Sequence, residues 1–179
     1  MDTFSKLPSL FLLFALLVGC ATLGSFTFTE ESEVITIRGE RTLPTPMPLA
    51  DLFPTTIPLE VDLEQELAAQ DASGARSIHL TELYFELTDD SRQETFDFLN
   101  RITLTVGPQD SSSELPSQEL AIRNPIPEGE SRFYLDVDDQ LNLKPYVEEG
   151  LRLQTNVTGS APSSEARFKV FATFRVRVL

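Results

Sequence analysis

From Phe168 to Val178 every even-numbered residue is apolar: Phe168, Val170, Ala172, Phe174, Val176 and Val178. Between them stand Lys169, Arg175 and Arg177, with Arg167 just before. A helix would scatter these two sets around its axis. A strand places one on each face. A long strand with one apolar and one charged face belongs in an antiparallel sheet whose inner face needs a second apolar layer. This closing segment, Glu165 to Val178, is the longest strand expected in the chain.

The rest of the sequence supplies that second layer. Short alternating or β-branched runs occur at Ser25–Thr29, Val34–Arg38, Ser77–Thr88, Arg101–Val106, Glu119–Arg123, Ser131–Val137 and Leu151–Thr158. The first two form either a hairpin or one long bent strand, interrupted at Glu30–Glu33. Ile57–Leu63 can add another. Within Ser77–Thr88, Ile78 and Leu80 have one parity and Leu83, Phe85 and Leu87 the other, so a bulge near Thr81 is expected. Leu63–Asp71 is the best short helix, and a helical turn begins near Pro145 and stops at Gly150. Five prolines between 41 and 58 predict extended crossover backbone there, pinned by Leu49, Leu52 and Phe53. Phe96, Phe98 and Leu99 read as a connection plugged into the core. Gly107–Ser117 and Gly159–Ser164 read as loops.

About eight or nine short strands without a covering helix predict an all-β fold, a single antiparallel β-sandwich of immunoglobulin-like or Greek-key type. Thirteen Phe and no Trp mean that its core is built on Phe, Leu, Val and Ile. The strand set, with its closing NVTGSAPSSEARFKVFATFRVRV, is faintly similar to immunoglobulin-like domains of exported lipoproteins.

The start of the chain is of a different kind. Lys6 is followed by the apolar run LFLLFALLV at residues 10–18, then by Gly19, Cys20 and Ala21. The run is too short to span a bilayer, which takes about 20 apolar residues. It has the layout of an export signal. Leu17-Val18-Gly19-Cys20 resembles the lipobox of bacterial lipoproteins. The resemblance implies cleavage between Gly19 and Cys20, diacylglyceryl transfer to the Cys20 sulfur, and acylation of the new amino terminus. Residues 1–19 are then a signal peptide, 20–24 a lipidated Cys with a minimal tether, and 25–179 the sandwich domain. Two or three acyl chains anchor a protein stably where one does so only marginally. Ala21 in the position after Cys20 implies, by the enteric sorting rule, the outer membrane. Cys20 is the single cysteine, so the mature domain carries no disulfide.

Net charge is −14, and the four basic residues after position 166 leave −18 on the remainder. Such a domain repels phosphate backbones, which argues against nucleic acid as a partner. It also repels anionic lipid, so the domain is expected to stand off the membrane on its tether. Arg167, Lys169, Arg175 and Arg177 are expected to pair with acids on neighbouring strands. The alternative is a basic binding stripe.

Residue types suited to catalysis are few. His79 is the single histidine, it sits in an alternating strand, and no Gly-x-Ser-x-Gly elbow accompanies it. One histidine cannot build a multi-His zinc site. No phosphate-cradling glycine loop or dinucleotide fingerprint occurs, and no cofactor is expected. Asp136, Asp138 and Asp139 place oxygen ligands in one turn, as calcium would need, but without the EF-hand glycine and glutamate. Asn156-Val157-Thr158 matches a glycosylation sequon with no meaning for a bacterial address.

The leading expectation is a non-catalytic lipoprotein of the bacterial envelope, a structural or protein-interaction module whose partners are the membrane, through Cys20, and an envelope protein. The alternatives are a carrier enclosing an apolar ligand in the sandwich, and a hydrolase using paired carboxylates.

Overall fold

The computed structural model describes residues 24–42, 45, 47–57, 59, 62–69, 74–110 and 112–178. Cys20, the signal segment and part of the proline-rich crossover lie outside them. Ten strands form two antiparallel sheets that enclose one core.

The first sheet is organised by its longest strands. β10 (Ala166–Val178) pairs with β4 (Ala75–Leu87) on one side. On its other side lie β1 (Ser25–Glu31) and β2 (Ile35–Ile37) in succession. The bent-strand reading of this N-terminal segment therefore holds, and the hairpin reading does not. β7 (Arg132–Tyr134) completes the sheet beyond β4. The second sheet runs β3 (Thr56–Ile57), β9 (Leu151–Gly159), β5 (Leu99–Pro108), β6 (Gln118–Arg123) and β8 (Asp136–Val137).

The expected parity of β10 is observed. Phe168, Val170, Ala172, Phe174 and Val176 are all buried, whereas Arg175 and Arg177 are exposed. The expected bulge is observed too. Phe174 lies opposite Leu80 and Thr173 opposite Glu82, so Thr81 is the extra residue. Its hydroxyl donates to the Thr173 carbonyl at 3.1 Å. The bulge lets Ile78 and Leu80 face the core together with Leu83 and Phe85.

Three local expectations need correction. The Ser131–Val137 segment is not one strand, because the chain changes sheets at Leu135, between β7 and β8. Leu135 stays buried and its N–H donates to the Leu83 carbonyl. Of the stretch expected as a strand from Ile57 to Leu63, Ile57 pairs at the end of β3 and Leu63 already opens a helix, while 58, 60 and 61 lie outside the described residues. The crossover is not wholly extended either. The five residues between Pro48 and Pro54 are free of proline, and a turn of helix, α1 (Leu49–Leu52), forms there with Pro48 at its N-cap. Its purpose in packing is clear: Leu49 and Phe53 are buried, and Phe53 stacks on Phe168 with ring centroids 5.6 Å apart.

Two further helices close the sandwich. α2 (Leu63–Ala69) starts at Asp62, whose carboxylate accepts from the Gln65 N–H at 2.9 Å. α3 (Lys144–Glu148) starts with proline in its first turn and ends before Gly150, which adopts φ +83°. Tyr146 of α3 is buried; its hydroxyl donates to the Pro116 carbonyl and accepts from Gln118. Phe96 lies edge-on to Phe133 at 4.8 Å and to Phe168 at 5.8 Å, joining the connection before β5 to the inner face of the first sheet.

Candidate functional site

The outer face of the first sheet carries most of the residues singled out for function. Its cross-strand rows follow from the register. Starting where the chain enters the fold, they are Ser25–Arg177–Ser77, then Thr27–Arg175–His79, then Thr29–Thr173–Glu82, then Glu31–Phe171–Tyr84–Tyr134. Lys169, Glu86 and Arg132 stand in the row after that.

The four basic residues of β10 divide into two pairs. Arg167 bonds to Asp90, and Lys169 lies 2.6 Å from Glu31. These two follow the expected pairing with acids of neighbouring elements. Arg175 and Arg177 make no ion pair among the described residues. Asp90 is held below the usual carboxylate range, first by the Thr88 hydroxyl and then by Arg167. Exposed pairs of this kind contribute little stability, so their main effect is to neutralise the far end of the strand.

The middle of the face is aromatic. Tyr84 stacks on Phe171 at 4.7 Å and contacts Tyr134 at 5.1 Å. The Arg132 guanidinium lies 5.1 Å from the Tyr84 ring centre and bonds to Glu86. Burial pushes the Tyr84 hydroxyl pKa up, with Arg132 acting in the opposite direction. This row was hidden in the sequence because its members come from three separate strands. The one signal was Phe171, an apolar residue at a charged-face parity.

His79 lies on the same face, half-buried, opposite Arg175. Its Nδ1 is buried and has no hydrogen-bond partner among the described residues. A catalytic triad would need an acid to orient it, and its cross-strand neighbour is a cation instead.

The acidic turn after β7 is occupied by local bonds. Asp136 stands 3.6 Å from Arg123, Asp138 accepts from the Gln140 N–H, and Asp139 accepts from the Gln140 side chain. Among the described residues no three acids, histidines or cysteines converge in a way that would hold a metal. A second acidic group was not foreseen. Glu30, at an inward parity of β1, faces Asp62 and Glu66 across a groove of about 660 Å³. Burial, then the charges of Glu66 and Asp62, raise the Glu30 pKa.

The interior bears on the carrier alternative. Phe85 stacks on Phe133 at 5.2 Å, and Phe96 packs against both Phe133 and Phe168. The rings that would line an apolar cavity are in contact with one another.

Fold and face together define an antiparallel β-sandwich domain with a polarised outer sheet. No protein family, curated protein or solved structure matches the chain.

Proposed function

We propose that the chain is a lipoprotein of the bacterial envelope, exported by residues 1–19 and anchored by lipid on Cys20, most consistently with the outer membrane given Ala21. Its sandwich serves as a non-catalytic structural or protein-interaction module. One observation carries this reading: Lys6, the apolar run 10–18, Gly19 and Cys20 occur in the order and spacing that export and lipidation require. Two features of the domain support it. Among the described residues, both sheets and the core are complete from Ser25 onward. The first strand begins at Ser25, which leaves residues 21–24 as the tether.

The test is metabolic labelling with a fatty acid in a bacterial host. The Cys20→Ser chain should lose all label and keep its signal segment uncleaved. Label retained by the Cys20→Ser chain would sink the lipoprotein reading.

A further inference from the structure

The geometry points to a membrane-docking surface at the tethered end of the first sheet, where Arg175, Arg177 and Arg76 meet the phosphates of anionic lipid headgroups. This inference rests on the lipidation of Cys20 and goes beyond it, because an anchor alone sets no orientation.

Three observations carry it. The first is position. Ser25 pairs with Arg177, and the Gly24 carbonyl accepts from the Val178 N–H at 3.2 Å. Five Cα steps separate Cys20 from Ser25, and at no more than ~3.6 Å each they span roughly 18 Å. A polar headgroup layer is about 5–7 Å deep, from the difference between the hydrocarbon and full bilayer thickness. An acylated Cys20 therefore holds the Ser25–Arg177 row close to the headgroups.

The second observation is which cations are uncommitted. Arg175 and Arg177 are exposed and make no ion pair among the described residues, whereas Arg167 and Lys169 are both paired. Arg76 is the extra residue of a second irregularity, between the Arg177–Ser77 and Val178–Ala75 pairs, and is exposed at the same end. Arg167 lies ten residues up β10 from Arg177, about 34 Å away at strand spacing. That is several screening lengths at physiological ionic strength. Along β10, among the described residues, the unpaired cations thus sit at the tethered end and the paired ones at the far end.

The third is the lack of acid in the first two rows. Ser25, Arg177 and Ser77, then Thr27, Arg175 and His79, contain no carboxylate. Among the described residues the first acid in the cross-strand rows of this face is Glu82, one row farther out. In a chain of net charge −14 this corner is the exception. The whole-molecule charge predicts that the domain stands off the bilayer. The arrangement of charge instead turns the basic corner toward anionic lipid and the acidic remainder away. Guanidinium groups suit phosphate through bidentate hydrogen bonds, and the hydroxyls of Ser25, Thr27 and Ser77 add donors.

The experiment uses the full chain, expressed in a bacterial host, purified in detergent and reconstituted into vesicles. One fluorophore is attached at Thr27→Cys, or at Glu94→Cys in the loop near the opposite end of β10. Vesicles are phosphatidylcholine alone or mixed with phosphatidylglycerol, each with a trace of headgroup nitroxide lipid as quencher. The Thr27 label should be quenched more strongly in phosphatidylglycerol vesicles, and the Glu94 label should be quenched in neither. Each arginine should shift the docked equilibrium about fivefold, so Arg175→Gln with Arg177→Gln should remove the phosphatidylglycerol increment, as should high salt. Quenching at Thr27 that ignores phosphatidylglycerol, or that survives the double substitution, overturns the docking surface and leaves these arginines to an acidic protein. Intact mass of the same sample separates the two readings. Missing lipid mass sinks the anchor and this inference with it. Lipid mass present with lipid-independent quenching sinks the docking surface alone.

Discussion

Phe174 of β10 stacks on Phe28 of β1, its direct cross-strand neighbour, with ring centroids 5.3 Å apart. The next residue, Arg175, points to solvent from the opposite face. This one-residue reversal sets opposite costs for adjacent substitutions. Phe174 is 1 % exposed, so Phe174→Ala should cost about 3–5 kcal/mol, the usual penalty for removing a buried Phe. Arg175→Gln with Arg177→Gln should move stability by less than about 0.5 kcal/mol per site. Urea midpoints of the two variants check this. Equal losses would mean that packing at Phe174 contributes no more than the surface does.

Thr81 makes a sharper test of register. Because it is the extra residue opposite the Thr173–Phe174 step, its deletion leaves every other residue of β4 opposite its present partner. The inward set Ile78, Leu80, Leu83 and Phe85 would become a regular alternation. The expected cost is about 1–2 kcal/mol, for the lost bond to the Thr173 carbonyl and the changed twist. Deleting Tyr84 instead forces a one-residue slip and turns either Leu83 or Phe85 outward. That variant should fail to fold under conditions where the Thr81 deletion folds, as circular dichroism and thermal melts would show.

The Thr81 bulge was legible because inward-facing residues leave a parity record along one strand. The same record gave the faces of β10, the plugging of Phe96 and Phe98, and the sandwich architecture itself. The proline-free gap Leu49–Phe53 held a helical turn that its flanking prolines disguised. What parity cannot record is the partner of each strand. The break at Leu135, where consecutive residues join different sheets, left the alternation Phe133–Leu135–Val137 intact and so looked like one strand. The same limit hid the outer face. The basic residues were visible along β10, but Arg167 pairing with Asp90, and Arg175 standing beside His79 without an acid, depend on which strands flank it.

The bend between β1 and β2 depends on Ser32, the one buried polar residue among those described, at 2 % exposure. Its backbone N–H donates to the Val170 carbonyl at 2.8 Å, and its side-chain oxygen accepts from the Val170 N–H at 2.9 Å. The hydroxyl in turn donates to the Glu33 carbonyl. A side chain thus replaces the strand bond missing where the chain turns. Ser32→Ala should strand the buried Val170 N–H and cost about 1–3 kcal/mol. Hydrogen exchange at the Val170 amide should speed up more than at Phe174. An unchanged Val170 rate would show that the hydroxyl is dispensable there.

Glu30 sets the direction of a pH response. It follows Phe26 and Phe28 at the inward parity of β1, and instead of an apolar partner it meets Asp62 and Glu66, with Glu31 and Glu33 along the same groove. Its pKa is raised in the folded protein, first by burial and then by Glu66 and Asp62. The folded state therefore takes up this proton at a higher pH than the unfolded state does. In the window between the ordinary Glu value and the raised one, the folded chain binds more protons, so this group's contribution to stability falls as pH rises. Above the window the ionised carboxylate destabilises the fold; below it the contribution is gone. Glu30→Gln, which stays neutral, should accordingly be more stable than the parent at neutral pH. The difference should shrink as pH falls through the window and vanish below the ordinary Glu range. Added salt at neutral pH should narrow it too, since the Asp62 and Glu66 repulsion is screened. Urea unfolding of both chains across this pH range reads the effect directly. A Glu30→Gln chain less stable than the parent at neutral pH would reverse the sign and show that the carboxylate is favourably bonded in the groove.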